Sequence, residues 1–190
     1  MESNVSRRYI FFILGVCLLI FSPAIIFFIP SAIPMTFYFE RDMWFYYTPL
    51  ETYIVFGIGV ALLIACCAVL FFGKKKKISI PSGILLFIGA IVLFYGSAKC
   101  YIAMNDKGLT YRGVFGSDKK HASWEDIKEV ELVEVPMNES GSSKFIVELK
   151  NGEVITFKET VHVQESRGGM RWKYEEYKIP VTYTDASEVK

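Results

Sequence analysis

Three long apolar stretches without a single charge, residues 9–29, 52–73 and 78–98, fill most of the first half of this 190-residue chain. Each approaches or exceeds the roughly 20 residues that an α-helix needs to cross a hydrocarbon layer of about 30 Å. The chain therefore reads as a multi-pass integral membrane protein whose transmembrane region spans residues 1–98. None of the stretches holds an Asp, Glu, Lys, Arg or His. Ionisable side chains within a span are the usual mark of a proton relay, an ion path or a voltage sensor, so the spans lend no support to a transporter or pump. The first stretch also exceeds the roughly 7–15 apolar residues of a secretory signal, which favours a span over a cleaved leader. Pro23 interrupts that stretch and removes one helical hydrogen bond, and Ser22 beside it can bond the freed carbonyl.

Charge divides the chain. Of its 21 Lys and Arg only seven precede residue 99, and of its 20 Asp and Glu only four, so a net charge of +1 conceals two unlike halves. Residues 99–190 have the polarity of a soluble domain and the length for one small core. That domain is slightly acidic, where a nucleic-acid binder would carry a basic footprint. In the membrane half, Arg7 and Arg8 precede the first span and Lys74, Lys75, Lys76 and Lys77 join the second to the third, whereas the loop over residues 30–51 offers only Arg41. Cations in short loops stay on the cytoplasmic side. The expected arrangement has the amino terminus in the cytoplasm, the first loop outside, and residues 99–190 extracytoplasmic at the plasma membrane.

The first loop gathers Phe37, Tyr38, Phe39, Trp44, Phe45, Tyr46 and Tyr47 around Glu40, Arg41 and Asp42. Aromatic rings with a polar edge collect at headgroup depth, and exposed aromatic clusters mark interaction sites. Trp44, Phe45, Tyr46 and Tyr47 are thus candidate contacts with the membrane interface or with a partner. In the second span Gly57, Ala61 and Ala65 recur every four residues, a spacing that stacks small side chains on one helical face and suits helix packing within the bundle.

Of the four cysteines, Cys17, Cys66 and Cys67 lie within spans and only Cys100 borders the soluble half, which leaves no internal disulfide or cysteine-based metal site there. His121 and His162 have no metal-ligand spacing. No nucleophile with a base, phosphate-cradling glycine loop or metal triad is present. Glu125-Asp126 and Glu175-Glu176 are adjacent pairs whose side chains diverge in a helix or strand, and they read as solvated charges. No catalytic, cofactor or metal residue is assigned.

After residue 98, short β-branched and aromatic runs alternate with turn residues, which predicts antiparallel β structure. Residues 101–104 and 109–115 flank Asn105-Asp106-Lys107-Gly108 as a hairpin, residues 116–120 close the second strand as a turn, and Lys119, Lys120 and His121 make a solvated basic loop. A short turn at 123–127 feeds a strand over 127–135, with an apparent bulge between Leu132 and Val133. Asn151-Gly152 predicts a type I′ hairpin pairing Leu149 with Val154 and Val147 with Thr156, which leaves apolar residues on both faces. Gly168-Gly169 breaks the chain, and residues 171–183 read as strand or mixed structure.

The order Asp106-Lys107-Gly108, then Leu109-Thr110-Tyr111-Arg112, then Ser123-Trp124-Glu125-Asp126-Ile127, then Asn151-Gly152 resembles the bacterial pleckstrin-homology-like domain over roughly residues 99–158. The resemblance implies a bent antiparallel sheet capped by a helix, commonly following transmembrane helices. Family examples are often expected on the cytoplasmic side, against the charge argument, which is kept here. No capping helix is evident after Lys158. Some relatives of this fold bind phosphoinositides through cations on the first hairpin, but Thr110 stands where the middle cation would, between Lys107 and Arg112. The expectation is a membrane-anchored, non-catalytic binding or regulatory module recognising a protein or peptide. The alternatives are a structural or accessory subunit of a larger membrane complex, associated through its helices, or an enzyme or transporter with an unrecognised site.

Overall fold

A computed structural model of the chain describes residues 2–38, 41–73, 76–116, 118–135 and 142–185. Lys74 and Lys75 of the basic loop, and Phe39 and Glu40 of the aromatic loop, lie outside the described residues. The chain forms two compact units. One comprises residues 1–38, 50–100 and 113–116, and the other 39–49, 101–112 and 117–190. The expected division at residue 98 is corrected accordingly, because residues 39–49 belong with the β structure.

Among the described residues, the first unit contains three helices long and apolar enough to cross a membrane. Helix α1 runs Glu2–Phe37, α2 Leu50–Phe72 and α3 Lys76–Ala98. α1 continues past its expected end at residue 29 through Pro30 and Pro34. At the first interruption, the Ser22 hydroxyl donates to the Leu19 carbonyl at 2.9 Å, which is the acceptor that Pro23 leaves without its amide. α2 packs against both neighbours, while α1 and α3 barely touch.

The close approaches on α2 do not follow the expected small-residue stripe. A Cβ on Gly59 would lie 2.7 Å from the Phe94 ring of α3, and one on Gly83 would lie 2.9 Å from Leu70. Phe56 packs its ring on Phe94 with centroids 4.7 Å apart. Gly57 instead faces Ile26 of α1, where a Cβ would sit at ordinary contact distance, 3.6 Å, Ala65 is half-buried and Ala61 is exposed. Gly57, Ala61 and Ala65 are therefore not the tight interface, and the seam with α3 lies along Phe56 and Gly59, rotated around the helix.

The second unit has two four-stranded sheets. The first is ordered β1-β2-β3-β4, formed by Met43–Tyr47, Tyr101–Asn105, Gly108–Arg112 and Lys120–Ser123, with all pairs antiparallel. The second is ordered β7-β6-β5-β8, where β5 is Ile127–Glu134, β6 Lys144–Leu149, β7 Val154–Lys158 and β8 Val181–Asp185. β8 runs parallel to β5, and the other pairs are antiparallel. A 3-10 turn, Trp124–Asp126, joins β4 to β5, and helix α4, Val161–Glu176, precedes β8. A single core draws on both sheets and α4, including Phe45, Met104, Leu109, Trp124, Val130, Val147, Phe157, Val163 and Met170.

Four local expectations are corrected. Lys120 and His121 belong to β4 rather than to a basic turn. The bulge in β5 lies between Ile127 and Glu129, so that Ile127 and Val130, three apart, are both buried, and pairing at Leu132 and Val133 is regular. The β6–β7 register is one residue from the type I′ arrangement: Val147 faces Ile155 and Phe145 faces Phe157. Only Gly152 has positive φ, 83°, whereas type I′ needs it at both central residues. A one-residue shift exchanges the faces of a strand. Phe145, Val147, Leu149, Ile155 and Phe157 thereby all enter the core.

The fourth correction is α4 itself, which replaces the expected break and the mixed segment after it. Thr160 caps its start by accepting the Val163 amide. Val163, Met170 and Tyr174 bury one helical stripe. Asn105 closes the β2–β3 hairpin by accepting the amides of Lys107 and Gly108 at 2.9 and 3.0 Å.

Gly59→Leu should destabilise the helical unit by about 1–3 kcal/mol through overpacking against Phe94, whereas Ala61→Leu should be neutral. Thermal unfolding of the purified full chain in lipid nanodiscs would show this, and equal melting temperatures for the two variants would contradict the assigned seam.

Candidate functional site

The site begins with how α4 is held. Trp124 is 1% exposed; its ring stacks on Trp44 with centroids 6.2 Å apart and planes 8° apart, and it meets Tyr174 of α4 edge-on at 6.2 Å. The Trp124 indole donates to the Asn105 carbonyl at 3.1 Å. A Cβ on Gly169 would press against the Trp44 ring at 3.3 Å, so the glycine lets the α4 backbone settle onto that ring. The Ser123 hydroxyl and amide both donate to the Asp126 carboxylate, at 2.6 and 3.0 Å, fixing the turn that carries Trp124. These bonds hold the Asp126 carboxyl below the usual carboxylate range.

Strand alternation disposes of the expected aromatic patch. Along β1, Phe45 and Tyr47 point into the core and are buried, while Trp44 and Tyr46 are half-buried. Phe45 and Tyr47 both pack on Phe157, at 5.7 and 5.8 Å between centroids, and the Tyr47 hydroxyl accepts the Lys158 amide at 3.1 Å. Tyr46 stacks on Tyr101 at 6.1 Å. Trp44, Phe45, Tyr46 and Tyr47 thus form a structural strand and not a continuous exposed surface.

A different concavity remains open. Arg167, Met170, Arg171 and Tyr174 recur at i, i+3, i+4 and i+7, so one face of α4 carries them all. With Leu132, Phe145, Val181 and Tyr183 on β5, β6 and β8 they line a groove of about 320 Å³. Among the described residues none of its lining side chains is acidic, and two are guanidinium groups. Arg167 Nη2 meets the Glu159 carboxylate at 2.6 Å and lies 4.0 Å from that of Glu134. Arg171 Nε donates to Glu175 at 2.9 Å in a well-exposed pair. Among the described residues the Tyr174 hydroxyl, Arg167 Nε and Glu159 Oε1 are buried without a hydrogen-bond partner, and burial pushes the Tyr174 hydroxyl pKa upward.

No family model, curated protein or solved structure matches the chain. The groove therefore has to be read from its own chemistry, which is that of hydrogen-bond donors set in an apolar wall. Sequence reasoning missed it because α4 was not recognised. The four-residue set on α4 was the available signal, once Gly168-Gly169 is accepted inside a helix. Among the described residues, no three His, Cys, Asp or Glu side chains group as metal ligands. His121 pairs with Thr110 across the β3–β4 ladder, Nδ1 to Oγ1 at 3.1 Å. Of His162, only its place in the first turn of α4 is described.

A second polar cluster joins the sheets. The Tyr111 hydroxyl donates to Glu153 Oε2 at 2.6 Å, and Lys120 Nζ lies 2.5 Å from Glu153 Oε1. Lys120, then Tyr111, hold the Glu153 carboxyl below its ordinary value, while burial, reinforced by the carboxylate, raises the Tyr111 phenol.

Trp124→Ala should destabilise the β unit by about 3–5 kcal/mol, the usual cost of emptying a buried aromatic site; an unchanged melting temperature would refute the clamp. Because the folded-state pKa of Glu153 is depressed, its contribution is present above the ordinary value of 4.5 and is lost as pH falls through the folded value. The stability difference between wild type and Glu153→Gln should accordingly shrink as pH is lowered below 4.5 in denaturant titrations. A gap that does not change with pH would exclude the ionised carboxylate as its source.

Proposed function

We propose that the chain is a membrane-anchored, non-catalytic binding or regulatory module whose β unit, of pleckstrin-homology-like fold, recognises a protein or peptide partner. The observation that carries this reading is the donor-lined groove between α4 and the second sheet, an open apolar concavity with a few convergent polar groups, the usual form of a recognition site. The fold assignment is supported by the succession of four antiparallel strands, three more antiparallel strands and a closing helix. Two features depart from what the resemblance implies. β1 lies ahead of α2 in the chain, and β8 adds a parallel strand after α4.

The extracytoplasmic placement of the domain belongs to the same proposal. A hydrogen-bonded sheet cannot be divided by a bilayer, so pairing of β1 with β2 supports α2 and α3 crossing as a pair between them. Arg8 donates to the Gly73 carbonyl at 3.2 Å, which brings the start of α1 to the end of α2. The two cationic segments then share one side, the cytoplasmic one by the distribution of Lys and Arg.

A second reading, an accessory subunit of a larger membrane complex, is favoured by one observation. Leu14 and Leu18 of α1, Leu63 and Leu70 of α2, and Ile84 and Phe87 of α3 line an apolar cleft of about 710 Å³ with room for the side chains of a further helix.

A cysteine at Ser142, with the native cysteines replaced by Ala, should react with an impermeant thiol reagent on intact cells; reaction only after lysis reverses the orientation. A photo-crosslinking residue at Tyr183, 65% exposed, should give one discrete protein adduct in native membranes, while the same residue at Val154 should not. Absence of any adduct at Tyr183 removes the support for partner recognition at the groove.

A further inference from the structure

We propose that the cleft between α1 and α3 holds one acyl chain of an anionic phospholipid, whose phosphate meets the cations at the mouth of the cleft. This goes beyond the recognition role of the β unit and requires only that the three helices cross the membrane. α1 and α3 each pack on α2 but barely touch one another, so α2 forms the floor of a valley between two walls. The seam between floor and α3 is closed: a Cβ on Gly83 would lie 2.9 Å from Leu70, and the Cys66 thiol donates to the Gly83 carbonyl at 3.2 Å. On the walls Leu14, Ile80, Ile84 and Phe87 are exposed, so the cleft opens sideways. Its volume, about 710 Å³, falls within the roughly 300–1,000 Å³ of ligand sites, and among the described residues no charged side chain lines it.

Depth and charge select the occupant. The lining runs from Phe11 to Leu18 on α1, three to ten residues past Arg8, and from Ile80 to Phe87 on α3, three to ten residues past Lys77. On α2 it runs from Leu70 back to Leu63, three to ten residues before Gly73. At about 1.5 Å per residue the cleft reaches from about 5 to about 15 Å below the cations, and about 15 Å is half of a hydrocarbon layer of about 30 Å. A helix that crossed the bilayer would pack along the whole layer, whereas a lipid chain ends at the midplane. The mouth is cationic. Arg8 donates to the Gly73 carbonyl at 3.2 Å, which gathers the start of α1 and the end of α2 beside the run that leads into α3, where Lys76 and Lys77 are exposed. Residues 1–8 and 73–81 carry six Lys and Arg against one acid, Glu2. Helical side chains lean toward the N-terminus of their helix, which on α1 and α3 alike is the mouth, so Arg8 and Lys77 extend toward headgroup level. Anionic lipid is concentrated in the cytoplasmic leaflet, the side that the distribution of Lys and Arg gives to this end of the helices.

The test uses the full chain in phosphatidylcholine nanodiscs that carry a trace of a phospholipid with a diazirine at the end of one acyl chain, either phosphatidylglycerol or phosphatidylcholine, with adducts mapped by mass spectrometry. The phosphatidylglycerol form should label Leu18, Leu63 or Phe87, at the deep end of the cleft, about tenfold or more above the phosphatidylcholine form. Each cation near an anionic headgroup changes affinity about fivefold. Arg8→Gln and Lys77→Gln should therefore each lower that preference about fivefold, while Lys99→Gln, beyond the far end of α3, should not. Leu14→Trp should fill the cleft and abolish labelling, whereas Leu85→Trp, exposed on α3 outside the cleft, should leave it. Equal labelling by the two lipids, adducts spread evenly over the outer faces of the helices, or a preference unmoved by both cation substitutions each overturns the assignment. So does a discrete protein adduct from a photo-crosslinking residue at Ile84 in native membranes, which would give the cleft to a further helix and keep the accessory-subunit reading. A chain that does not enter nanodiscs overturns the spans themselves, and this site with them.

Discussion

The ladder between β1 and β2 is the constraint on which the architecture depends. It pairs Met43 with Asn105 at one end and Tyr47 with Ile102 at the other. Tyr47 is three residues before the start of α2, and Tyr101 is three residues after the end of α3. The α2–α3 pair is thus an insertion between two adjacent, hydrogen-bonded strands, in the place where an ordinary hairpin would have a turn. The consequence is that the β unit is completed by a segment that precedes α2, and neither unit is a contiguous piece of sequence. A truncation at residue 98 would remove β1 and with it Phe45 and Tyr47 from the core.

Aromatic packing then fixes α4. Trp44 reaches Trp124 from β1, Trp124 reaches Tyr174 on α4, and Gly169 admits the Trp44 ring against the helix backbone. Offset and edge-on aromatic pairs contribute about 0.5–1.5 kcal/mol each beyond the area that they bury. Tyr174 packs on Trp124 and also lines the groove. The groove is therefore a by-product of the clamp: its geometry is set by core residues, and a disturbance at Trp44 or Trp124 would alter it without touching its rim.

What could be read from sequence follows from how local each signal is. The apolar runs predicted three helices with ends mostly within two residues, because a bilayer-length segment needs no tertiary information, and Ser22 could be placed beside the carbonyl freed by Pro23. The turn at Ser123–Ile127 was equally local. β1 was illegible because Trp44 to Tyr47 satisfy an interfacial segment and a half-buried strand alike, and only its pairing with β2, 55 residues away at Tyr47↔Ile102, distinguishes them. The register at Asn151-Gly152 depended on whether one or two residues take positive φ, which composition does not decide. α4 was hidden by Gly168-Gly169, a breaker in isolation, whose second member lies closely against the Trp44 ring. The candidate groove was lost with the helix that builds it.

Two buried donors on α4, the Tyr174 hydroxyl and Arg167 Nε, have no partner among the described residues. A Phe at position 174 would keep the edge-on contact with Trp124 while removing a buried hydroxyl that no described residue satisfies. A purely structural position would be better served by that exchange, since replacing an unsatisfied polar group by an apolar one of the same shape is neutral or stabilising. Arg167 Nη2 lies 2.6 Å from Glu159 Oε1, and that oxygen is likewise without a hydrogen-bond partner among the described residues. Folding alone therefore explains the ring and the ion pair but not the donors beside them.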